Sequence, residues 1–296
     1  MKKQPTVIRV KASATLGEVL AGNLGGMSQT SIKNLLARRV VQVNGAVETR
    51  MDLAVKAGDT ITIVHGRGNS ALVHPKLKIV YEDEYLIVVE KQCGLLTVAA
   101  TPGGREATAL SVLKDYVRRE NRRNGIFVVH RLDRETSGLL VFAKTQELQE
   151  YMREWWHQLV TKRTYVAVVE GKVEKEADTI TTWLTTDPRT TMVYSSPVDD
   201  GGKKAVTHYR VVKSNDSFSL LELNLETGRT NQIRVHMATI GHPVVSDRKY
   251  GSGDSTKSVL DRLALHARIL EFTHPVTEKK VHFETPVPRA FLNLFH

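Results

Sequence analysis

Short apolar runs separated by polar stretches dominate the chain, and they predict strands more often than helices. Helical spacing is present in fewer places, one of them where Ile233, Met237 and Ile240 precede Gly241. The pattern predicts strands at residues 79–90, 127–130, 139–143, 165–170, 206–212 and 218–225, and helices at 109–119 and 148–159. Because strands and helices do not alternate regularly, the predicted fold class is α+β, with a mixed sheet rather than a doubly wound parallel one.

The first 64 residues have a pattern of their own. Thr15 and Glu18 predict a capping box at the start of a short helix, and a second helix is predicted from about Ser28. Two short strands are predicted around the Asn-Gly turn at 44–45, and another strand at 60–64. This region resembles the small RNA-binding domain first recognised in the fourth protein of the small ribosomal subunit, through Ile32–Leu36, Val43–Gly45 and Gly58-Asp59.

Composition and charge add a domain plan and a class of partner. We predict a small basic domain at 1–64, a polar, glycine-rich linker at 65–75 and a larger domain at 76–296. The 296 residues include 42 Lys and Arg against 32 Asp and Glu, a formal net charge of +10. Ten basic and four acidic residues lie in the first 75. This balance favours nucleic acid as the partner, with an acidic protein surface as the alternative.

Several classes of protein are excluded by what the sequence lacks. Cys93 is the only cysteine, which rules out an intramolecular disulfide framework and a zinc site made of several thiolates. No apolar stretch approaches the roughly 18 residues of a membrane span, and no secretory signal is recognisable. Neither a phosphate-binding loop, nor a dinucleotide fingerprint, nor an H-E-x-x-H pair is present. We therefore expect a cytoplasmic protein without a metal, a small-molecule cofactor or a membrane partner.

Asp133 lies in a dense polar loop between two apolar, strand-like runs. The stretch at 127–142 also contains His130, Arg131 and Thr136. A loop of this kind presents a carboxylate between rigid supports, which is a common position for a functional group. The alternative is that Asp133 only caps the turn through its own backbone. Spacing alone leaves both interpretations open.

A second polar cluster, at residues 225–236, precedes a predicted helix and contains Arg229. Near the N-terminus of a helix the charge of an arginine opposes the helix dipole. An anionic partner would offset this, either a phosphate or a carboxylate such as Asp133. An exposed arginine without a role is the alternative.

Taken together, these segments resemble the signatures of the RluA-type pseudouridine synthases. The matching segments are, in chain order, His130–Asp133 with Thr136–Gly138, Lys162–Gly171, Thr227–His236, Gly241–Pro243 with Asp247 and Tyr250-Gly251, and Leu265–Ala267. The resemblance covers essentially residues 76–296. It implies an enzyme that isomerises uridine to pseudouridine in RNA. It also implies a catalytic domain with a mixed, largely antiparallel central sheet, flanking helices and a central cleft.

The resemblance implies roles for three catalytic residues. Asp133 is expected to be the catalytic carboxylate, acting either as a nucleophile or as a base at the ribose. Arg229 is expected to pair with Asp133 and keep it ionised. Tyr165 is expected to stack on the uracil and to assist the final proton removal.

Four further residues are expected to bind the substrate. Ile233 would form the apolar wall opposite Tyr165, and Arg131 would stabilise the flipped uridine through a phosphate or by filling the vacated stack. His130 and Thr136 belong to the same motif and are expected to contact the substrate with them.

The sequence departs from the family pattern at two places. Gln92 replaces the proline of a Lys-Pro-x-Gly-Leu segment, and Asn231 stands where histidine is usual. Neither belongs to the expected catalytic set, but both bear on loop geometry or on the choice of RNA.

Ribosomal RNA of the large subunit is the expected substrate, with tRNA as an alternative, and we expect a monomer. A non-catalytic RNA-binding factor for ribosome assembly is the competing function. A glycoside hydrolase is a more distant alternative, because it would need a second carboxylate beside Asp133, for which Glu135 is the nearest candidate.

Overall fold

The computed structural model describes residues 5–25, 27–37, 40–63, 72–101, 103–104, 106–251 and 259–296. The chain divides into two compact units. The N-terminal unit comprises residues 1–72 together with 115–124, and the larger unit comprises 73–114 and 125–296. Most of the predicted linker at 65–75 lies outside the described residues. No helix in the described ranges is long and apolar enough to cross a membrane.

The N-terminal unit contains two helices and short antiparallel strands. Its elements are β1 (Thr6–Arg9), β2 (Ala14–Thr15), α1 (Leu16–Asn23), α2 (Gln29–Ala37), β3 (Val41–Val43), β4 (Ala46–Val47), β5 (Ala54–Val55) and β6 (Thr60–Ile63). One sheet has the order β1-β6-β3-β4, and β2 pairs with β5. The predicted capping box is confirmed, because Thr15 Oγ1 accepts the N–H of Glu18 while the Glu18 carboxylate accepts the N–H of Thr15. The Asn44-Gly45 turn is also confirmed, with φ of 51° and 85°.

The larger unit is built on one extended sheet with few helices. Its elements begin with β7 (Leu77–Glu82), β8 (Leu86–Lys91), α3 (Ala109–Glu120), β9 (Phe127–Val128), β10 (Ser137–Ala143), α4 (Gln146–Glu154), α5 (Trp156–Leu159) and β11 (Val160–Glu170). They continue with β12 (Ala177–Thr186), β13 (Val193–Ser196), β14 (Lys203–Ser214), β15 (Phe218–Leu225), α6 (Gln232–Thr239), β16 (Leu265–Thr273), β17 (Lys280–Glu284), α7 (Arg289–Leu292) and a 3₁₀ turn at Asn293–Phe295. The division between the units passes through α3.

The strand order in the larger unit is β13-β12-β14-β15-β11-β16-β10-β8-β7, with β17 beside β16 and β9 beside β10. Only the β10–β16 pair is parallel among the described strand pairs. The fold is therefore α+β with a mixed, largely antiparallel sheet, as predicted. Valine and leucine side chains of β8, β10 and β11 are buried and form much of the core.

Some predicted boundaries are wrong. The single stretch at 79–90 is a hairpin of β7 and β8, because Asp83 accepts the N–H groups of Tyr85 and Leu86 and closes a turn there. The helix predicted at 148–159 breaks at Trp155, which is 44% exposed. Among the described strands, seven were not predicted: β1, β2 and β5 in the N-terminal unit, and β12, β13, β16 and β17 in the larger unit.

Gly138 fixes the junction of β10 with β16, and thereby the position of the Asp133 loop. Its φ is +116°, a conformation that residues with a side chain rarely adopt. A Cβ atom at this position would lie 2.1 Å from the carbonyl oxygen of Ala267. The two strands can approach this closely only because residue 138 has no side chain.

Candidate active site

The Asp133 loop, defined here as residues 129–136 between β9 and β10, is fixed by hydrogen bonds from the segment that follows β8. Thr97 Oγ1 donates to the carbonyl of Leu132 at 2.7 Å and accepts the N–H of Leu132 at 3.2 Å. The N–H of Gly94 donates to the carbonyl of Arg134 at 2.8 Å. The backbone is thus restrained on both sides of Asp133, as a pre-positioned catalytic group requires.

Lys91 lies under the loop and is completely buried. Its Nζ donates to the carbonyl oxygens of Leu95 at 2.8 Å, Gln92 at 3.2 Å and Arg134 at 3.2 Å. Burial lowers the pKa of Lys91 to about 8, and the negative charges nearby, Asp133 among them, limit the decrease. The ammonium group therefore ties the Asp133 loop to the segment after β8.

A chain of hydrogen bonds supports the other end of the loop, where β10 begins. Thr285 Oγ1 donates to the carbonyl of Arg268, so it accepts from Nε2 of His266 at 2.8 Å. Nδ1 of His266 is then the acceptor for the Ser137 hydroxyl at 2.6 Å, and Ser137 Oγ accepts from Arg262 Nη2 at 2.6 Å. Burial, with the charges of Arg262 and Arg268, lowers the pKa of His266 to about 3, so the ring is neutral as this chain requires.

Arg234, in the first turn of α6, is the cation that faces Asp133. Its Nη1 lies 3.9 Å from Asp133 Oδ2. The same guanidinium donates from Nε and Nη2 to the two carboxylate oxygens of Asp247, at 2.7 and 2.6 Å. Burial opposes the charge of Arg234, but Asp247 and, to a smaller extent, Asp133 outweigh it and raise the pKa of Arg234. Arg234 therefore links the catalytic candidate to a fully buried carboxylate.

Arg229 does not make the pair with Asp133 that was predicted for it. It precedes α6, its side chain is exposed, and its Nε donates to the carbonyl of Lys204 on β14 at 3.0 Å. The side chain of Gln232 accepts the N–H of Arg229 at 2.9 Å, which fixes the backbone before the helix. The prediction is wrong because the helix begins at Gln232, and this start turns Arg234 rather than Arg229 towards Asp133.

Asn231, one of the two departures from the family pattern, is accommodated by its backbone conformation and by two side-chain hydrogen bonds. It has a φ of +53°, which asparagine tolerates better than most residues. Its Oδ1 accepts from Arg234 Nη1 at 3.2 Å, and its Nδ2 donates to the hydroxyl of Tyr250 at 3.0 Å. The Tyr250 ring in turn lies 5.2 Å from the guanidinium carbon of Arg234. The amide therefore helps to orient Arg234.

Gln92, the other departure, donates its backbone N–H to the carbonyl of Lys76 at 2.9 Å. A proline at this position has no N–H and could not make that bond. The exchange therefore adds a backbone hydrogen bond beside the segment that fixes the Asp133 loop.

Tyr165 and Ile233 lie on different elements, β11 and α6, and pack in the same apolar cluster. Tyr165, on β11, pairs with Ala267 of β16, which pairs on its other side with Gly138 of β10. Ile233 is buried in the cluster against which the Tyr165 ring packs. Burial raises the pKa of Tyr165, the charge of Arg163 opposes this and that of Asp133 adds to it. The structure thus brings Tyr165 and Ile233 together with the Asp133 loop, and the hydroxyl is protonated.

Three other predicted residues have different surroundings from one another. His130 accepts the N–H of Val141 on Nε2 at 3.2 Å, and its ring lies 4.8 Å from that of Trp156. Burial lowers the pKa of His130 to about 3, so it is a neutral brace for the loop. Thr136 is 2% exposed and donates its N–H to the carbonyl of Asp133. His130 and Thr136 therefore support the loop in this structure, and their contact with the substrate stays a prediction. Arg131 is exposed at the loop surface.

The sequence patterns did not predict the supporting residues Arg234, Asp247, Tyr250 and Lys91 as site residues. All four lie in the part of the chain that the resemblance covered, and Arg234, Asp247 and Tyr250 lie in its matching segments, which was the available signal. In the described part of the chain, no three His, Cys, Asp or Glu side chains come together as metal ligands.

Comparison with known proteins identifies a family. The RNA pseudouridylate synthase family matches residues 85–239. A protein of Nitrosomonas europaea named ribosomal large subunit pseudouridine synthase D is 36% identical over 289 residues, covering 94% of this chain and 82% of the relative. An uncharacterized RNA pseudouridine synthase of Bacillus subtilis, YhcT, is 34% identical, covering 90% of this chain and 88% of the relative.

A solved structure shows the same fold. Human RNA pseudouridylate synthase domain containing 1 is similar to this chain with a TM-score of 0.58 and 25% identity. The similarity covers 72% of this chain and 86% of the human one. The matched family segment includes Asp133, Tyr165, Ile233 and Arg234.

Proposed function

Because this chain belongs to the RNA pseudouridylate synthase family, and is therefore an isomerase of uridines in RNA, we propose that it modifies particular uridines of large-subunit ribosomal RNA. Relatives named ribosomal large subunit pseudouridine synthase D support this choice, with identities of 36% over most of the chain. The formal net charge of +10 agrees with a polyanionic substrate.

The isomerisation breaks the bond between the ribose and N1 of uracil, turns the base and joins the ribose to carbon 5, which loses its hydrogen as a proton. The target nucleotide must leave the RNA stack, at a cost of a few kcal/mol that contacts in the site offset. We assign Asp133 as the catalytic carboxylate. The observation that carries this assignment is its place on a restrained loop that faces both Arg234 and the Tyr165 cluster.

Arg234, Tyr165 and Ile233 complete the assignment. Attack on the ribose, or removal of a proton from it, requires the carboxylate form of Asp133, and Nη1 of Arg234 lies 3.9 Å from its Oδ2. Tyr165 stacks on the flipped uracil, a contact worth about 1–3 kcal/mol per base, and Ile233 closes the apolar side of the pocket. Arg131, exposed on the loop, binds the RNA backbone where the base has left.

The test is release of tritium from carbon 5 of labelled uridine, with large-subunit ribosomal RNA, small-subunit ribosomal RNA and tRNA as separate substrates. The wild type is compared with Asp133→Asn and with Asp216→Asn, an exposed aspartate that serves as the matched control. We expect release from large-subunit RNA by the wild type and the control only. Release from tRNA alone would overturn the substrate, and release by Asp133→Asn would overturn the assignment of the carboxylate. Tight binding without release would support an assembly factor that retains the fold.

A further inference from the structure

A basic cavity lies in the larger unit, outside the set of catalytic candidates. It has a volume of about 430 Å³ and lies between the start of α5, the start of β11 and the β14–β15 strands. Lys162, Arg163 and Lys204 line it, with the indole of Trp156 as its aromatic wall. This size falls within the range of small-ligand pockets. None of the roles assigned above uses this cavity.

The three cations of the cavity have no acidic partner among the described residues. Arg163 contributes one long hydrogen bond to the carbonyl of Leu225, at 3.5 Å, and lies 5.7 Å from the Trp156 ring. The lining carboxylate, Glu226, faces His208 at 3.5 Å and is largely exposed. The cavity therefore has an excess of positive charge that an anionic ligand would offset.

Gly228 makes room for the guanidinium of Arg163. Its φ is not positive, so the backbone conformation does not demand glycine there. A Cβ atom at Gly228 would, however, lie 2.9 Å from Nη1 of Arg163. A side chain at position 228 would therefore meet the end of the Arg163 side chain, which lies along the cavity wall.

The cavity adjoins the catalytic loop through one aromatic contact. The Trp156 ring packs against His130, which lies three residues before Asp133. Arg163 also precedes Tyr165 by two residues on β11. The cavity therefore lies next to the loop that carries Asp133.

We propose that the cavity is a subsite for one nucleotide of the single-stranded RNA that flanks the target uridine. Its phosphodiester lies among Lys162, Arg163 and Lys204, and its base lies against Trp156. The proposal rests on the proposed function, since it takes RNA as the substrate. It adds a contact that fixes the strand without reading the target base.

The experiment measures binding, so that it can fail independently of catalysis. A fluorescein-labelled oligouridylate of ten nucleotides is titrated with the full-length chain at several salt concentrations. The test variant is Lys162→Gln with Lys204→Gln. The control is Lys172→Gln with Lys279→Gln, two exposed lysines outside the cavity that make the same change in charge.

We expect the test variant to bind about tenfold more weakly at low salt, and the slope of log affinity against log salt to decrease in size by about 0.7 for each lost phosphate contact. The control should stay within about twofold of the wild type, because its lysines touch no phosphate.

Equal affinities and slopes for the test and control variants would overturn the subsite. If the control variant still releases tritium from ribosomal RNA, the proposed function survives that result. Absence of tritium release from ribosomal RNA by the wild type would instead count against the proposed function itself.

Discussion

Substitution of Gly138 by alanine is expected to separate β10 from β16 and to displace the Asp133 loop. The new Cβ would lie 2.1 Å from the oxygen, 2.6 Å from the nitrogen and 2.7 Å from the carbonyl carbon of Ala267. These are backbone atoms, so no side chain can rotate away. The φ of +116° adds a conformational cost of about 1–3 kcal/mol. Overpacking against a rigid neighbour costs about 1–3 kcal/mol more, so we expect a total loss of about 2–6 kcal/mol.

Gly201 supplies the matched control for this substitution. Its φ is +89°, yet a Cβ there would have nothing within 4 Å. Gly201→Ala therefore includes the conformational cost without the clash, and we expect it to lose about 1–3 kcal/mol. The difference between the two variants isolates the close approach of β10 and β16.

The assay is urea unfolding followed by tryptophan fluorescence. All three tryptophans, at positions 155, 156 and 183, lie in the larger unit, so the signal reports on the unit that contains Asp133. Tritium release is measured in parallel and corrected for the folded fraction, and Gly138→Ala should lose more activity than unfolding explains. A Gly138→Ala protein as stable and active as Gly201→Ala would refute the argument that the glycine sets this junction.

Three further predictions concern the site. Arg234→Gln should lower kcat for tritium release about 100-fold or more, because Asp133 and Asp247 both lose their cation. Arg229→Gln should mainly raise KM for RNA. Equal effects of the two substitutions on kcat would contradict the assignment of Arg234 as the partner of Asp133. In the same assay, Tyr165→Phe should lower kcat with little change in KM, whereas Tyr165→Leu should lower kcat and also raise KM. Full activity of Tyr165→Leu would exclude stacking of Tyr165 on the uracil. Burial depresses the pKa of Lys91 to about 8 against an unfolded value of 10.5, so its charged form destabilises the fold below pH 8 and this penalty is relieved as the pH rises towards 10.5. In urea unfolding, the free energy of unfolding of the wild type should therefore increase by up to about 3 kcal/mol relative to that of Lys91→Met between pH 7.5 and 10.5. A difference between the two proteins that stays constant over this pH range would refute the shift of the pKa.

Local signals account for the parts of the fold that the sequence predicted well. The capping box at Thr15 and the Asn44-Gly45 turn depend on residues that are neighbours in the chain, and β15 was predicted with its observed limits, Phe218–Leu225. Strand β12 was missed because five of its ten residues are threonine, which makes it polar, although its buried positions repeat every second residue once it pairs with β14. Its strand character thus depends on tertiary pairing.

The position of Asp133 could be predicted because two apolar runs bracket its loop, but the choice between Arg229 and Arg234 could not. The two arginines lie five residues apart, so the residue at which α6 begins decides which of them points towards the loop. Helix ends are uncertain by one or two residues from sequence, and a shift of that size rotates a side chain by 100° or more. Here the side chain of Gln232 accepts from Thr227 and from the N–H of Arg229, and these bonds fix the start of the helix.

The support of the Asp133 loop lies furthest from what the sequence can indicate. Ser137 and His266 are 129 residues apart, and their hydrogen bond forms only because β10 and β16 run parallel and in register at Gly138. Lys91 ends a strand of buried aliphatic residues, where a lysine is usually taken for a solvated end. Its burial follows from three carbonyl oxygens that converge on it from two separate segments. Residues that position a catalytic group through such long-range contacts carry no local periodicity, so the structure was needed to identify them.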